Sequence, residues 1–181
     1  GHGVAIANAE ERLREFCEKG NLPVAATLMG VSVMNSFHPN YIGAVGMHGN
    51  IAPNRMTQEA DVIVAVGMRF SDRVTGKPSE YAPKARIIHV DVDPVEIGKI
   101  IRVDLPVVCD ARTVLESLLE RDIVSVWRGS WWNMARDVAV REAKLLTNVQ
   151  LASNRGLTMA TVVQRISMLV GNDKIVVTDV G

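Results

Sequence analysis

With 20 Lys and Arg against 20 Asp and Glu, this 181-residue chain has no net charge and gives no indication of binding nucleic acid or an anionic membrane surface. Its 48% hydrophobic and 22% charged residues are typical of a soluble globular enzyme domain with one core, or one core plus a fragment of a second. No apolar run approaches a membrane span, and the amino terminus lacks the layout of a signal peptide. Cys17 and Cys109 lack metal-ligand spacing, so we expect buried free thiols in a cytoplasmic protein.

The first sixty residues predict a helix, a short strand and a long loop. Apolar residues recur at helical spacing over residues 6–17, and Gly20 is the expected C-cap of that helix. Residues 23–26 predict a short strand. Residues 31–50 are rich in Gly, Asn, Ser and Pro, which predicts a functional loop with little regular structure. A short helix is expected to start near Pro53.

The central part of the chain alternates strand and helix patterns. The β-branched runs at residues 62–66 and 87–90 predict parallel strands that are covered on both faces. Residues 93–96 predict a helix start, and a third strand at residues 105–109 leads to Asp110 as the N-cap of a further helix. This alternation predicts an α/β fold with a Rossmann-like parallel sheet and helices on both faces.

The pattern changes near residue 126, where all three tryptophans fall within residues 127–132. A helical pattern continues to about Leu146, and a polar break follows at residues 152–156. Apolar spacing then predicts a helix over residues 159–169, and residues 175–178 predict a terminal strand.

Charged side chains follow two of the predicted strands. In parallel sheets ligands lie beyond the carboxyl ends of the strands, where Arg69, Asp72 and Arg73 form one loop and Asp91 ends the next strand. Two guanidinium groups can grip a pyrophosphate with Asp72 holding one of them, although a solvated surface loop has the same charge pattern. Asp91 stands where a Rossmann fold places the carboxylate for a ribose hydroxyl, but N-capping is an alternative for it and would by itself explain Asp110.

The residues themselves reveal no catalytic group and no metal ligands. His48 lies in a glycine-rich segment and could be a general base, a stacking partner or a hydrogen-bonding loop residue. Catalysis is the weakest of these readings, because no acidic partner or nucleophile is identifiable beside it. The other three histidines show no metal spacing, and the chain lacks a nucleophile elbow, a phosphate-binding Gly-Lys-Thr loop and a Gly-x-Gly-x-x-Gly motif. The residues therefore predict a dinucleotide-binding α/β domain, but they identify no catalytic residue.

Four blocks in order closely resemble the central domain of acetolactate synthase (acetohydroxyacid synthase): Thr-Leu-Met-Gly at 27–30, Gly-Met-His-Gly at 46–49, Gly-Met-Arg-Phe-Ser-Asp-Arg-Val-Thr-Gly-Lys at 67–77, and Ile-Ile-His-Val-Asp-Val-Asp-Pro-Val-Glu-Ile-Gly-Lys at 87–99. The resemblance covers roughly residues 1–125. That family joins pyruvate to a second 2-ketoacid with thiamine diphosphate, magnesium and a flavin, in branched-chain amino-acid biosynthesis.

The family's central domain holds FAD in an extended pose. Carried onto matching positions, the resemblance implies FAD contacts at Gly1, Gly3, Thr27, Leu28, Met29, Gly46, Met47, His48, Gly67, Arg69, Asp72, Arg73, Val74, Asp91, Val92, Asp110 and Ala111. Two departures from the family pattern are His2, within a loop that is usually three glycines, and Ser71, where the family often has Asp. His2 is expected to crowd the flavin.

The resemblance also implies a domain organisation and partners. Residues 1–127 would form the FAD-binding domain, 128–155 a helix and linker, and 156–181 the start of a thiamine-diphosphate-binding domain, where Val180 and Gly181 approach the diphosphate. Thiamine diphosphate and magnesium belong to the intact enzyme, so this chain alone is expected to be inactive. Its implied partners are the enzyme's other domains, further copies of the chain and a regulatory subunit.

Two other functions stay open. One is a relative such as glyoxylate carboligase or a flavin-free thiamine-dependent decarboxylase, and the other is a non-catalytic nucleotide-binding module. A further hypothesis concerns the sheet, because the loop at residues 1–3 should follow a central strand. Residues 174–179 have the apolar run that such a strand needs, and one hypothesis is that they fill this slot by pairing with residues 23–26 or 62–66, in the same chain or in a neighbouring copy. The alternative is that residues 157–181 dock outside the sheet.

Overall fold

Short apolar runs of the sequence form parallel strands in this computed structural model, which describes residues 1–152, 158–170 and 177. The described strands are Val24–Ala26 (β1), Tyr41–Ala44 (β2), Val62–Val66 (β3), Arg86–Asp91 (β4) and Leu105–Val108 (β5). The described α-helices are His2–Ile6 (α1), Glu10–Gly20 (α2), Ile51–Glu59 (α3), Asp72–Thr75 (α4), Ala111–Leu119 (α5), Gly129–Ala152 (α6) and Met159–Val170 (α7). Two 3-10 helices span Leu28–Val33 and Pro78–Glu80.

The strands form two parallel sheets. β1 pairs with β2, and the larger sheet has the order β3-β4-β5. In the larger sheet Val64 lies opposite Ile88, and Val90 lies opposite Val107. Since the pairing is parallel, the carboxyl ends of β3, β4 and β5 share one edge. The predicted α/β fold with a parallel sheet and helices on both sides is confirmed.

Two hydrophobic clusters cover opposite faces of the larger sheet. Neighbouring strand residues point to opposite faces, so Val66 and Val90 belong to one cluster while Ala65 and Ile87 belong to the other. The first cluster packs the sheet against α1, α2 and α5, with Leu115 fully buried. The second packs it against the segment that follows β3.

The bounds predicted for β3 are confirmed, but its predicted burial on both faces is wrong. Val62 is 49% exposed and Val64 is 42% exposed, whereas Val66 on the same face is buried. Helix α1 accounts for the difference, because Val4 packs with Val66 at the carboxyl end of that face. Full coverage of β3 is therefore confined to the end where polar loops follow.

The single helix predicted over residues 6–17 is two helices. Asn8 adopts a left-handed conformation with φ of 47°, which separates α1 from α2. Gly20, the predicted cap, is the last residue of α2, and the left-handed cap is Asn21 with φ of 49°. Asparagine is one of the few residues other than glycine that adopts this conformation readily. The helix therefore ends one residue later than predicted, with Asn21 as its cap.

The loop predicted over residues 31–50 contains regular structure. A 3-10 helix extends to Val33, and β2 pairs in parallel with β1. The register shifts between Val24 and Ala25, and β2 is only four residues long with Gly43 inside it. Such a short, interrupted strand has no alternating pattern for the sequence to show.

The helix predicted to start at Asp93 is not formed. Residues 94–98 are turns, in which the Glu96 amide donates to the Asp93 carbonyl at 3.1 Å. Asp93 nevertheless accepts a hydrogen bond from the Val95 amide at 2.9 Å, as an N-cap would. The capping residues therefore stabilise a turn that does not continue into a helix.

The predicted N-cap at Asp110 is confirmed and can be tested alone. Its carboxylate accepts from the amides of Arg112 at 2.8 Å and Thr113 at 3.4 Å, at the start of α5. We expect Asp110→Ala to lower the free energy of unfolding by about 1 kcal/mol, because the amides lose their acceptor. Asp110→Asn keeps an acceptor and should cost much less in a urea titration. Equal losses in the two variants would show that capping is not what Asp110 contributes.

The chain divides into two compact units, residues 1–139 and 140–181. In the first unit Ala135 and Val138 of α6 are buried, and the Arg128 guanidinium donates to the Gly20 carbonyl at 2.8 Å. In the second unit the hydroxyl of Thr158 accepts from the Thr161 amide at 3.2 Å and starts α7, as predicted. The predicted strand at 175–178 and the pairing proposed for residues 174–179 lie outside the described residues, apart from residue 177.

Candidate functional site

A cleft of about 560 Å³ opens at the carboxyl edge of the larger sheet. This volume is ordinary for a small-molecule or cofactor site. The lining residues come from α1, from the turn after β1, and from the segments that follow β3, β4 and β5: His2, Gly3, Ile6, Thr27, Leu28, Met29, Gly67, Met68, Arg69, Ser71, Arg73, Val74, Val90, Asp91, Val92, Cys109, Asp110 and Ala111. The structure thus brings the Arg69 loop and Asp91 to one cleft.

Part of the cleft is closely packed backbone without side chains. The Gly3 amide donates to the Gly67 carbonyl at 2.9 Å, and a Cβ on Gly3 would lie 2.6 Å from the Gly67 Cα. Gly1 lies beside the same contact, its nitrogen donating to the Val66 carbonyl at 2.8 Å, although Gly1 does not line the cleft. Only glycine permits the backbones at Gly3 and Gly67 to come this close. The absence of side chains at these two residues also leaves room for a ligand against the backbone.

The chemistry of the cleft changes along the sheet edge. Leu28 and Met29, after β1, are 62% and 66% exposed and present apolar surface. Arg69 follows β3, Asp91 is the last residue of the adjacent strand β4, and Asp110 follows β5. The order β3-β4-β5 therefore places the basic group at the outer strand of the larger sheet and the two acids at the strands beside it.

Arg69 supplies a positive charge at this edge of the sheet. It is exposed, and among the described residues its guanidinium has no ion pair. Arg73 faces Asp72 at 3.9 Å, with both side chains more than two-thirds exposed. An exposed pair of this kind contributes little energy, so Asp72 restrains Arg73 only weakly.

Asp91 and Asp110 each use one carboxylate oxygen to accept a hydrogen bond from a backbone amide. Asp91 accepts from the Asp93 amide at 3.0 Å through Oδ1. Asp110 uses its Oδ1 for the cap of α5. Each carboxylate has a second oxygen that makes no such bond among the described residues, and both side chains line the cleft. These oxygens can accept from hydroxyl groups.

Other predicted residues lie beside the cleft. Gly46, Met47 and Asp72 line a smaller recess of about 250 Å³, which shares Arg73 and Val74 with the cleft. His48 is exposed and lines neither space.

Val180 and Gly181, which were also predicted to lie near a cofactor, are outside the described residues. His2, expected to crowd a ligand, has its imidazole Nδ1 2.9 Å from the Met29 carbonyl, which ties α1 to the turn after β1.

Six lining residues are not among the predicted contacts, namely His2, Ile6, Met68, Ser71, Val90 and Cys109, although His2 and Ser71 are the two departures from the family pattern. Val90 and Cys109 stand at or just after strand ends, so the same carboxyl-edge rule would have found them. Cys109, predicted to be buried, is only half-buried. Cys17 is buried as predicted, and burial together with the Glu18 charge raises the pKa of its thiol to about 12.

Within residues 1–152, 158–170 and 177, no three His, Cys, Asp or Glu side chains are grouped so as to hold a metal ion. None of the helices described here combines the length and the apolar content that crossing a membrane requires.

Comparison with known proteins gives consistent matches. The family described as thiamine pyrophosphate enzyme, central domain, matches residues 1–118. A probable acetolactate synthase large subunit of Methanocaldococcus jannaschii is 50% identical over 119 residues, covering 66% of this chain and 20% of that protein. The acetolactate synthase large subunit of Corynebacterium glutamicum is 48% identical over 120 residues, covering 66% and 19%. An acetolactate synthase of Mycobacterium avium is 35% identical over 191 residues, covering 100% and 30%. The chain therefore spans less than a third of the length of these relatives.

Proposed function

Because the chain belongs to the family of thiamine pyrophosphate enzyme central domains, we propose that it is the central part of an acetolactate synthase large subunit and that its cleft binds FAD. The observation that carries the proposal is the set of groups that share one cleft. Arg69, which has no ion pair among the described residues, lines it together with the apolar Leu28 and Met29 and the acidic Asp91 and Asp110.

The residues of the cleft fit the chemistry of FAD. A flavin dinucleotide has an apolar ring system, a diphosphate and ribose hydroxyls, which match the three kinds of surface in the cleft. The Gly3–Gly67 contact leaves backbone where a Cβ would otherwise fill space. Gly3 and Gly67 line the cleft together with Arg69 and carry no side-chain charge of their own that would repel an anionic diphosphate.

Each group has a role that follows from its chemistry. The planar guanidinium of Arg69 can bind two diphosphate oxygens at once. Asp91 would accept from a ribose hydroxyl through its second oxygen, as acids at this position of Rossmann folds do. Leu28 and Met29 would cover an apolar ring. Bound FAD supplies an isoalloxazine ring, and the protein supplies binding and orientation.

The activity of the whole protein is part of the proposal. The relatives are named acetolactate synthases, and several are named large subunits. We propose that the whole protein joins pyruvate to a second 2-ketoacid for branched-chain amino-acid synthesis, with thiamine diphosphate and magnesium held outside the described residues. We further propose that it is cytoplasmic, forms homo-oligomers and pairs with a smaller regulatory subunit.

Flavin binding is the direct test. FAD should bind the purified protein with saturation, followed by quenching or shift of flavin fluorescence, whereas riboflavin, which lacks the diphosphate, should bind much more weakly. ADP should compete with FAD because it shares the diphosphate and ribose. No saturable FAD binding would refute the FAD part of the proposal and favour a flavin-free relative.

Cys109 offers a footprint of the ligand that needs no substitution. Cys109 lines the cleft, whereas Cys17 is buried with a pKa of about 12 and remains a protonated thiol at pH 8. We therefore expect a thiol-alkylating reagent at pH 8 to modify Cys109 alone in the folded protein, as read by peptide mass spectrometry. Saturating FAD should slow this reaction severalfold, while riboflavin at the same concentration should not. An alkylation rate unaffected by FAD would place the ligand elsewhere.

A further inference from the structure

A buried histidine lies directly beneath the Arg69 loop. His89 on β4 is fully buried, and its Nε2 is 2.9 Å from the carbonyl oxygen of Met68. A carbonyl oxygen only accepts hydrogen bonds, so Nε2 carries the hydrogen and donates. The other ring nitrogen, Nδ1, has no hydrogen-bond partner among the described residues.

This unpartnered atom makes the imidazole a costly residue for its position. The surrounding cluster is apolar, with Ala65, Ile87 and Ile101 on the same side of the sheet. A buried polar atom without a partner costs free energy that an apolar side chain of similar size would avoid. The polar interaction that compensates for part of this cost is the hydrogen bond from Nε2 of His89 to the Met68 carbonyl.

That bond and one ring contact hold both neighbours of Arg69. The imidazole packs edge-to-face on Phe70, with ring centroids 4.9 Å apart and an interplanar angle of 82°. Phe70 also packs on Tyr81, with centroids 5.8 Å apart. Arg69 is exposed and has no ion pair in the described part of the chain, so its position depends on its backbone.

We propose that His89 is a positioning residue that holds the backbone of residues 68–70 so that Arg69 reaches the diphosphate of FAD. This inference rests on the proposed function, and it adds a buried residue that makes no contact with the cleft itself. It predicts that loss of the His89 bond weakens FAD binding only through Arg69.

Three substitutions separate the bond from the ring. His89→Phe keeps an aromatic ring against Phe70 but removes the donor, and we expect FAD to bind about fivefold to tenfold more weakly. His89→Gln places an amide nitrogen near the position of Nε2, and its affinity should stay within about threefold of the parent. His89→Asn is too short to reach Met68 and should behave like His89→Phe, which keeps the test available if one variant fails to fold.

Coupling to Arg69 distinguishes positioning from general support of the fold. In an Arg69→Ala background, His89→Phe should change FAD affinity less than twofold, because the group that it positions is already gone. The same fivefold to tenfold loss in both backgrounds would overturn the proposal, as would an unchanged affinity in the Arg69-containing protein.

Hydrogen exchange of the ligand-free protein gives an independent measurement. His89→Phe should speed exchange of the amides at 68–70 severalfold and leave those of β3 unchanged. Unchanged exchange at 68–70 would show that His89 does not hold this backbone, even if FAD binds. Faster exchange in a protein that binds no FAD would instead refute the proposed function. His89 would then hold the backbone of residues 68–70, but not for binding FAD.

Discussion

Replacing Arg69 by alanine should weaken FAD binding by about 1.5–3 kcal/mol, which is roughly tenfold to 150-fold in the dissociation constant. The loss is large because the guanidinium faces the cleft without an ion pair among the described residues and would make charge-assisted bonds to the diphosphate. Arg73→Ala should weaken binding less, because the negative charge of Asp72, 3.9 Å from the Arg73 guanidinium, offsets the attraction of Arg73 for a diphosphate. Fluorescence titration with FAD measures both variants.

Arg86→Ala is the matched control for this change. Arg86 is exposed at the amino end of β4, the opposite edge of the sheet, so the variant loses the same charge far from the cleft. Its FAD affinity should stay within about twofold of the parent at physiological salt, where distant charges are screened. If Arg69→Ala and Arg86→Ala bound FAD equally well, Arg69 would have no place in the site.

Replacing Gly67 by alanine should lower the free energy of unfolding by about 2–5 kcal/mol. Gly67 has φ of 57°, and its new Cβ would lie 2.6 Å from the Gly3 Cα. A left-handed conformation costs an L-residue roughly 1–2 kcal/mol, and overpacking typically adds about 1–3 kcal/mol. The clashing atom is backbone and cannot rotate away, so α1 must move from the end of β3. A urea titration measures the loss.

Gly98→Ala separates the two costs. Gly98 also has a positive φ, 71°, but a Cβ there would meet no atom within 4 Å. We expect this variant to lose only the conformational part, about 1–2 kcal/mol. Gly67→Ala should in addition weaken FAD binding, since Gly67 lines the cleft, whereas Gly98→Ala should not. Equal destabilisation of the two variants would contradict the close approach of α1 to β3.

Much of the sheet could be predicted because its signals are local. The run at β3 is bounded by Asp61 and Gly67, and its length and β-branching gave the observed bounds. The carboxyl-edge rule then brought Arg69 and Asp91 together across 22 residues of sequence, since parallel neighbours end at the same edge.

The errors come from features that a local pattern does not contain. Asn8 breaks a helix that the apolar spacing predicts to be continuous, because spacing reports a buried face and not backbone dihedrals. β2 is stabilised by pairing with β1 and not by its own sequence. The link from His89 to Met68 depends on how two strands are placed, so the chain around His89 shows only a histidine within an apolar run.

The binding mode of FAD is the central claim, and a crystal structure of the protein grown with FAD tests it most directly. We expect the diphosphate within about 4 Å of the Arg69 guanidinium, a ribose hydroxyl at the Asp91 carboxylate and the flavin ring towards Leu28 and Met29. FAD seated away from the carboxyl edge of β3 and β4, or lying in the cleft with its diphosphate distant from Arg69, would contradict the account.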